Sequence, residues 1–529
     1  MPHSRSTSHR TAVRLKLGLS LLLAAFAPAT MAADRFDPVR ALIQERIEQK
    51  GIPSYAVAVA KEGKIVWEEG FGWADREQKI PATANTAYLL ASISKTFTAV
   101  GLMTLVQQGR IDLDMPVNDY LGPVRLASWV GDPVEATVRR VANHTAGFGW
   151  GDEFFYGEEE AKRVPSLEAT IARYGHIVEP PGKRYVYSNF GYGVLSQAIA
   201  ATSGQSYADY MREHVFLPLD LHATSVGPAA APGVQAAQLY GLAGERVPVM
   251  NHGLPAAGGL LSSAHDLVRF GMFLSGKPAA GQMAILDPAS LREMRRPSTP
   301  DGDHYGIGLY PMKTWPGGPV GYGHGGSTTG ANTLMTILPE QGLVVVVLAN
   351  RWRTDNNPIR DAIVRAMLPG WPQDAVGTTT EAARAPEPPA KQETPVTTVP
   401  PTEWHGDWAG TLFTHERQIP VQLKVLDSGE VRLRIDDQLW SLLDKPTYQD
   451  GWLIGESLSH VPIADTERRR HGVLLEVEHR DGRLVGMVKA GVGPNFDDPS
   501  RDFPYFVYAL HYRLVLEPAA TASGGVGVR

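Results

Sequence analysis

Residues 89–109 read LLASISKTFTAVGLMTLVQQG, and how Lys95 is understood in that run decides the rest of the chain. Lys95 follows Ser92 by three residues, among Ile93, Phe97 and Val100, and from Glu77 to Asp112 the sequence offers it no acidic residue. The run predicts a helix that starts near Ser92 and ends at Gly109, so Ser92 and Lys95 are neighbours on one face. Two readings follow. The lysine can lay its stem along apolar surface and reach water. Alternatively its amine is kept short of partners, and desolvation, which disfavours the charged form, lowers its proton affinity. A neutral amine beside a hydroxyl is a base beside a nucleophile, and a serine at a helix start sits near the positive end of the dipole. Ser-x-x-Lys alone is too common to decide between them.

The chain has 529 residues, too many for one ordinary domain. Its 43% hydrophobic and 20% charged residues make a globular composition. A net charge of −6 argues against a nucleic-acid partner, and no long Lys/Arg run compensates for it. Cysteine is absent, which excludes thiol catalysis, disulfides and thiolate zinc sites together. Arg5, Arg10, Arg14 and Lys16 precede the apolar LGLSLLLAAFA, and PATMAAD supplies small residues, so residues 1–32 read as a cleaved export signal. The apolar run is shorter than the ~20 residues of a spanning helix. A periplasmic or secreted protein with no later membrane span is expected.

From 33 to 369 helical and strand patterns mix. Asp37 can cap a helix whose first turn suits Pro38, with Val39, Leu42, Ile43 and Ile47 as its apolar stripe and Gly51 as its stop. SYAVAVAKEGKIVWEEGFG (54–72) reads as a hairpin, as does ANTLMTILPEQGLVVVVLANR (331–351), and a helix from about Pro358 to Met367 closes the unit. Hairpins at both ends predict one antiparallel sheet flanked by helices, with a helical subregion between, an α/β (α+β) architecture. Residues 370–402 are rich in Pro, Thr, Ala and Glu and read as a linker. From 403 to 518 alternating strands surround Ser-Gly and Asp-Gly turns, predicting a small barrel or sandwich. Its aromatics Trp404, Trp408, Tyr505 and Tyr508 read as core. The stretch 519–529 reads as a disordered tail.

Two further blocks bear on Ser92. PPGKRYVYSNFGYGVL holds Tyr187-Ser188-Asn189, and GYGHGGSTTGANTLM holds His324-Gly325-Gly326. The order Ser-x-x-Lys, Tyr-x-Asn, Lys/His-x-Gly resembles the serine β-lactamase and penicillin-binding superfamily. The middle tyrosine makes it most similar to class C β-lactamases, D,D-peptidases and family VIII esterases. ASISKTFTAVGLM, RRVANHTAGFG and PAAGGLLSSAHDLVRF resemble blocks of the same family, over roughly Asp37 to Met367. The β domain's opening WHGDWAG resembles, over a short motif, the start of calycin-like barrels.

The resemblance implies roles. Ser92 is the acylated nucleophile; Lys95 and Tyr187 share the proton, the phenol serving as base while the ammonium holds its pKa down. Asn189 bonds the substrate amide and Lys95. The backbone N–H groups of Ser92 and Ser327 form an oxyanion hole, and Gly325 and Gly326 let substrate approach. His324 stands where β-lactamases carry lysine; with a reference pKa of ~6.5 it is charged over only part of the physiological range. It is expected to bind a substrate carboxylate weakly at neutral pH, which points away from efficient antibiotic hydrolysis. His144 reads as structural, and His252, His265 and His304 lack zinc-ligand spacing. The expectation is a hydrolase needing no metal or cofactor that acts on D-amino-acid peptides, peptidoglycan ends included, or on small esters, with weak β-lactam turnover. The alternative is a penicillin-binding sensor that is acylated and not turned over. Oligomeric state is left open.

Overall fold

The computed structural model describes residues 34–149, 151–298, 305–371, 397–449, 451–469, 471–492 and 507–519. The export signal expected over 1–32 lies outside these residues. So do Trp150, His304, Tyr505, most of the 370–402 linker, and the tail beyond Ala519.

A seven-stranded antiparallel sheet is built from both ends of the first domain. Its order is Tyr310–Lys313, Val320–Thr328, Ala331–Leu338, Leu343–Ala349, Ser54–Lys61, Lys64–Asp75 and Ile80–Pro81. The seam is the pairing of Ser54–Lys61 with Leu343–Ala349, Tyr55 opposite Ala349 and Lys61 opposite Leu343. Both strands are apolar nearly throughout because both faces of the sheet are covered. On one face Val57, Val59, Val345 and Val347 pack with Val39 and Ile43 of the helix Asp37–Lys50 and with Ile359 and Ile363 of Asn357–Met367. The other face joins the larger core, which includes the Ser94–Gln107 helix.

Local punctuation follows the sequence closely. Glu62 and Gly63 turn the first hairpin with φ of +50° and +74°, and Gly51 closes the first helix at φ +63°. Asp37 differs from expectation. It is the first helical residue rather than the cap; its carboxylate accepts from the Asp34 N–H and from Arg40.

The C-terminal domain is a nearly closed antiparallel barrel running from Gly406–Phe413 to Tyr508–Pro518. The Asp481-Gly482 turn joins Gly472–Arg480 to Arg483–Val492 with both residues at positive φ, as a two-residue hairpin demands. Trp404, Trp408 and Tyr508 are buried in its core. The barrel does not stand apart. Its last strand also pairs with Asp152–Tyr156 of the first domain, Tyr508 opposite Glu153 and Ala509 opposite Asp152. Asp152–Tyr156 in turn pairs with Met250–His252. Side chains tie the same seam: Arg468 to Glu153 at 3.2 Å, Arg469 to Glu160 at 2.5 Å, and Arg173 and Tyr174 to Asp465. No helix among the described residues is long and apolar enough to cross a membrane.

Candidate active site

The helix Ser94–Gln107 is preceded by a tight turn, Ala91–Ile93, in which Ala91 adopts φ +48°. Such a backbone costs a non-glycine residue about 1–3 kcal/mol and persists only where its surroundings enforce it. Here the Thr333 hydroxyl bonds the Leu90 carbonyl at 2.7 Å, and the strand Val320–Thr328 crosses so closely that a Cβ on Gly326 would lie 2.1 Å from the Leu90 oxygen. Gly326 is therefore a packing glycine behind Ser92. Gly325 is the less crowded of the two, its ideal Cβ making only ordinary contacts, the nearest at 3.6 Å to the Thr333 carbonyl.

The turn presents Ser92 to a cleft of about 700 Å³ that Tyr187, Asn189, His324, Gly325, Gly326 and Ser327 also line. Lys95 Nζ donates to Ser92 Oγ at 3.2 Å and to the Ala257 carbonyl at 2.7 Å. Its side chain has 0% exposure, so it does not reach solvent along its stem. Tyr187 also hydrogen-bonds Ser92, and its ring centre lies 4.8 Å from Lys95 Nζ. Ser188 fixes this tyrosine: its hydroxyl caps the Asn189–Ser203 helix at Gly191 N–H and donates to the Gly149 carbonyl, and its N–H donates to His144 Nδ1. His144 is buried among Tyr185, Tyr187, Tyr192 and Tyr305, a packing position.

Burial sets the proton affinities. Desolvation pushes the Lys95 amine far below the ordinary lysine range, and the Asp152 carboxylate, acting across space, pulls it part of the way back. Burial raises the Tyr187 phenol well above its usual value, with the Ser92 hydrogen bond working in the opposite direction. Burial thus lowers the proton affinity of Lys95 and raises that of Tyr187, the phenol's shift running opposite to the one the resemblance implies. His324 departs from expectation as well. It is buried, its Nδ1 bonds the Gly325 carbonyl at 2.6 Å, its Nε2 faces the Tyr305 hydroxyl at 2.9 Å, and desolvation drives its pKa down to about 3. A histidine so held is neutral at physiological pH and offers no charge to a carboxylate.

Asn189 lies where expected but bonds elsewhere. Its amide donates to Asp152 Oδ2 at 2.7 Å, and Lys95 donates to Ser92 and Ala257. Ser327 Oγ accepts from Trp352 Nε1 at 3.0 Å, which orients the residue beside Gly326. Sequence reasoning missed Asp152, which is buried in the cleft wall. The signal available was an acid inside the glycine- and aromatic-rich GFGWGDEFFYG, directly after the NHTAGFG block. Among the described residues, His415, Glu416 and Asp465 bring ligand atoms within 4.8 Å of one another. None of them lines the cleft, and Asp465 is engaged by Arg173 and Tyr174.

A family model described as Beta-lactamase matches residues 39–367. The mitochondrial serine beta-lactamase-like protein LACTB of Homo sapiens is 25% identical over 326 residues, 47% of this chain and 59% of LACTB. The match thus spans less than two thirds of that relative. Penicillin-binding protein 4 of Amycolatopsis lactamdurans is 29% identical over 336 residues, 60% of this chain and 84% of that protein. Among solved structures, a D-amino acid amidase from Ochrobactrum anthropi SV3 superposes with a TM-score of 0.53 at 24% identity, over 64% of this chain and 100% of its own.

Proposed function

Because the chain belongs to the Beta-lactamase family, we propose that it is a serine hydrolase that forms an acyl-enzyme on Ser92. The observation that carries this reading is the 3.2 Å contact between Ser92 Oγ and a fully buried Lys95 amine whose pKa burial has lowered. In the proposed sequence Ser92 attacks a carbonyl carbon and its proton passes to Lys95, directly or through the Tyr187 hydroxyl. The carbonyl oxygen turns toward the backbone N–H groups of Ser92 and Ser327. Collapse expels the leaving group, which takes up the proton, and water then repeats the steps on the acyl-enzyme.

The substrates proposed are D-amino-acid peptides or amides and small carboxylic esters. The family, the penicillin-binding relative and the amidase-like fold support that range, and the neutral His324 argues against dependence on a substrate carboxylate. Export is proposed from the basic and apolar pattern of residues 1–32; N-terminal sequencing of the protein recovered from periplasm should begin near Ala33. Hydrolysis is tested with p-nitrophenyl acetate and butyrate. Turnover that Ser92→Ala abolishes supports the reading, and activity persisting in that variant removes Ser92 as nucleophile.

A further inference from the structure

Asp152 is 4% exposed and sits in the wall of the same cleft as Ser92 and Tyr187. Its two oxygens are treated differently. Oδ2 accepts from Asn189 at 2.7 Å, while Oδ1 is buried without a hydrogen-bond donor. His252 Nε2 comes within 3.3 Å of Oδ1 but does not meet hydrogen-bond geometry. Since the Leu254 N–H donates to His252 Nδ1, the ring's proton is on Nε2, and burial lowers the ring's pKa to about 3, so the imidazole is neutral. Burial raises the Asp152 carboxyl to about 7, opposed by Lys95, which acts across space because its contacts go to Ser92 and Ala257, and by hydrogen bonds from Asn189 and the Glu153 backbone. Leaving a buried carboxylate oxygen without a donor is costly. The residues around it supply no cation at contact distance, and a ligand can.

We propose that the Asp152 carboxylate binds a free amino group on the acyl side of the substrate, so that the cleft prefers aminoacyl amides, aminoacyl esters and peptides with an unblocked N-terminus. This rests on the serine-hydrolase reading above and adds the chemistry by which that site selects. It also links recognition to catalysis. In the empty cleft the carboxylate stabilises the charged form of Lys95. When a substrate ammonium pairs with Asp152, that carboxylate no longer compensates Lys95. Lys95 then releases a proton to solvent, and the net charge of the site is conserved. The amine that must accept the Ser92 proton thus becomes neutral when the matching substrate arrives. A substrate of equal size without the amino group leaves Asp152 paired at a distance with Lys95 and gains neither effect.

The test compares alanine p-nitroanilide, both enantiomers, with propionyl p-nitroanilide, which differs by loss of the amino group. The full chain and its Asp152→Asn variant are measured, with p-nitrophenyl acetate as a separate check on acylation and thermal melting as a check on folding. For the wild type kcat/KM should favour the better alanyl enantiomer by about 100-fold or more, since a site built around a polar partner rejects the analogue lacking it. In Asp152→Asn the ratio should collapse to within about 5-fold. Because the ratio is taken within each enzyme, a general loss of activity cancels. A wild-type ratio near one, a ratio unchanged by Asp152→Asn, or hydrolysis of neither anilide by an enzyme that cleaves p-nitrophenyl acetate overturns the proposal. If Asp152→Asn fails to fold, the wild-type pair alone decides. Failure to cleave p-nitrophenyl acetate at all is instead a failure of the hydrolase reading.

Discussion

The tie between the barrel and the cleft wall can be measured at Arg468. This residue reaches from the barrel to Glu153, the neighbour of Asp152, at 3.2 Å, with the two side chains 9% and 8% exposed. Burial raises the Glu153 carboxyl to about 7, Arg468 opposing the shift, with Asp465 raising it further and Arg173 lowering it. A carboxyl whose folded pKa lies above its unfolded one weakens the fold as it ionises. Its penalty is absent below the unfolded value near 4.5 and complete above about 7. At ~1.4 kcal/mol per unit the penalty is about 3 kcal/mol in the intact protein. Arg468→Met keeps an apolar stem beside Phe155 and Tyr508 but removes the cation from over both rings and strands the carboxylate. Breaking a buried pair in this way costs about 3–5 kcal/mol when the remaining group is charged. At pH 5, with Glu153 protonated, the loss reduces to the hydrogen bond from Arg468 Nε to the Asp465 carbonyl and the cation–π contacts, about 2 kcal/mol. Urea unfolding of the full chain at pH 5 and pH 8 reads both numbers, and adding Glu153→Gln should restore most of the pH 8 loss. Equal destabilisation at the two pH values, or no recovery, would refute the reasoning.

Other expectations follow from the site. Tyr187→Phe removes the relay hydroxyl from Ser92 and should slow acylation about 100-fold, read as the burst with p-nitrophenyl acetate. The rate kcat/KM should rise with pH through one ionisation well below the ordinary lysine value, because only neutral Lys95 accepts a proton. His324→Asn should leave that midpoint in place, and a limb near pH 6.5 that disappears in the variant would restore a charged His324. Gly326→Ala drives a methyl into the Leu90 carbonyl and Thr333. It should destabilise by about 1–3 kcal/mol and displace the Ser92 turn enough to lose most esterase activity, measured by melting and turnover together.

Much of this was readable in the chain because it is written in short-range chemistry. A three-residue spacing puts Ser92 and Lys95 on one face, Lys-Glu-Gly-Lys and Asp-Gly turns fix their hairpins, and the valine run 344–347 announces a strand covered on both sides. The proton affinities were not readable, since a side chain's reference pKa is a property of the residue and its actual one a property of its burial. His324 looked half-charged by type and is neutral by position. Lys95 looked devoid of carboxylates within its own segment, yet Asp152 reaches it from a different strand. That strand is placed by pairing with the last strand of the barrel, a contact no local pattern encodes. Asp37 shows the smaller kind of miss, where a good capping residue stands one position inside the helix.

Synthesis from N- to C-terminus gives the shared sheet a temporal meaning. While a nascent chain is still growing, Asp152–Tyr156 can find its partner at Met250–His252, but its other edge waits until the last strand of the barrel, Tyr508–Pro518, has been made. The wall beside the nucleophile therefore closes only after the barrel has been synthesised. A premature stop or C-terminal nick that spares every motif residue would still produce a defective catalyst.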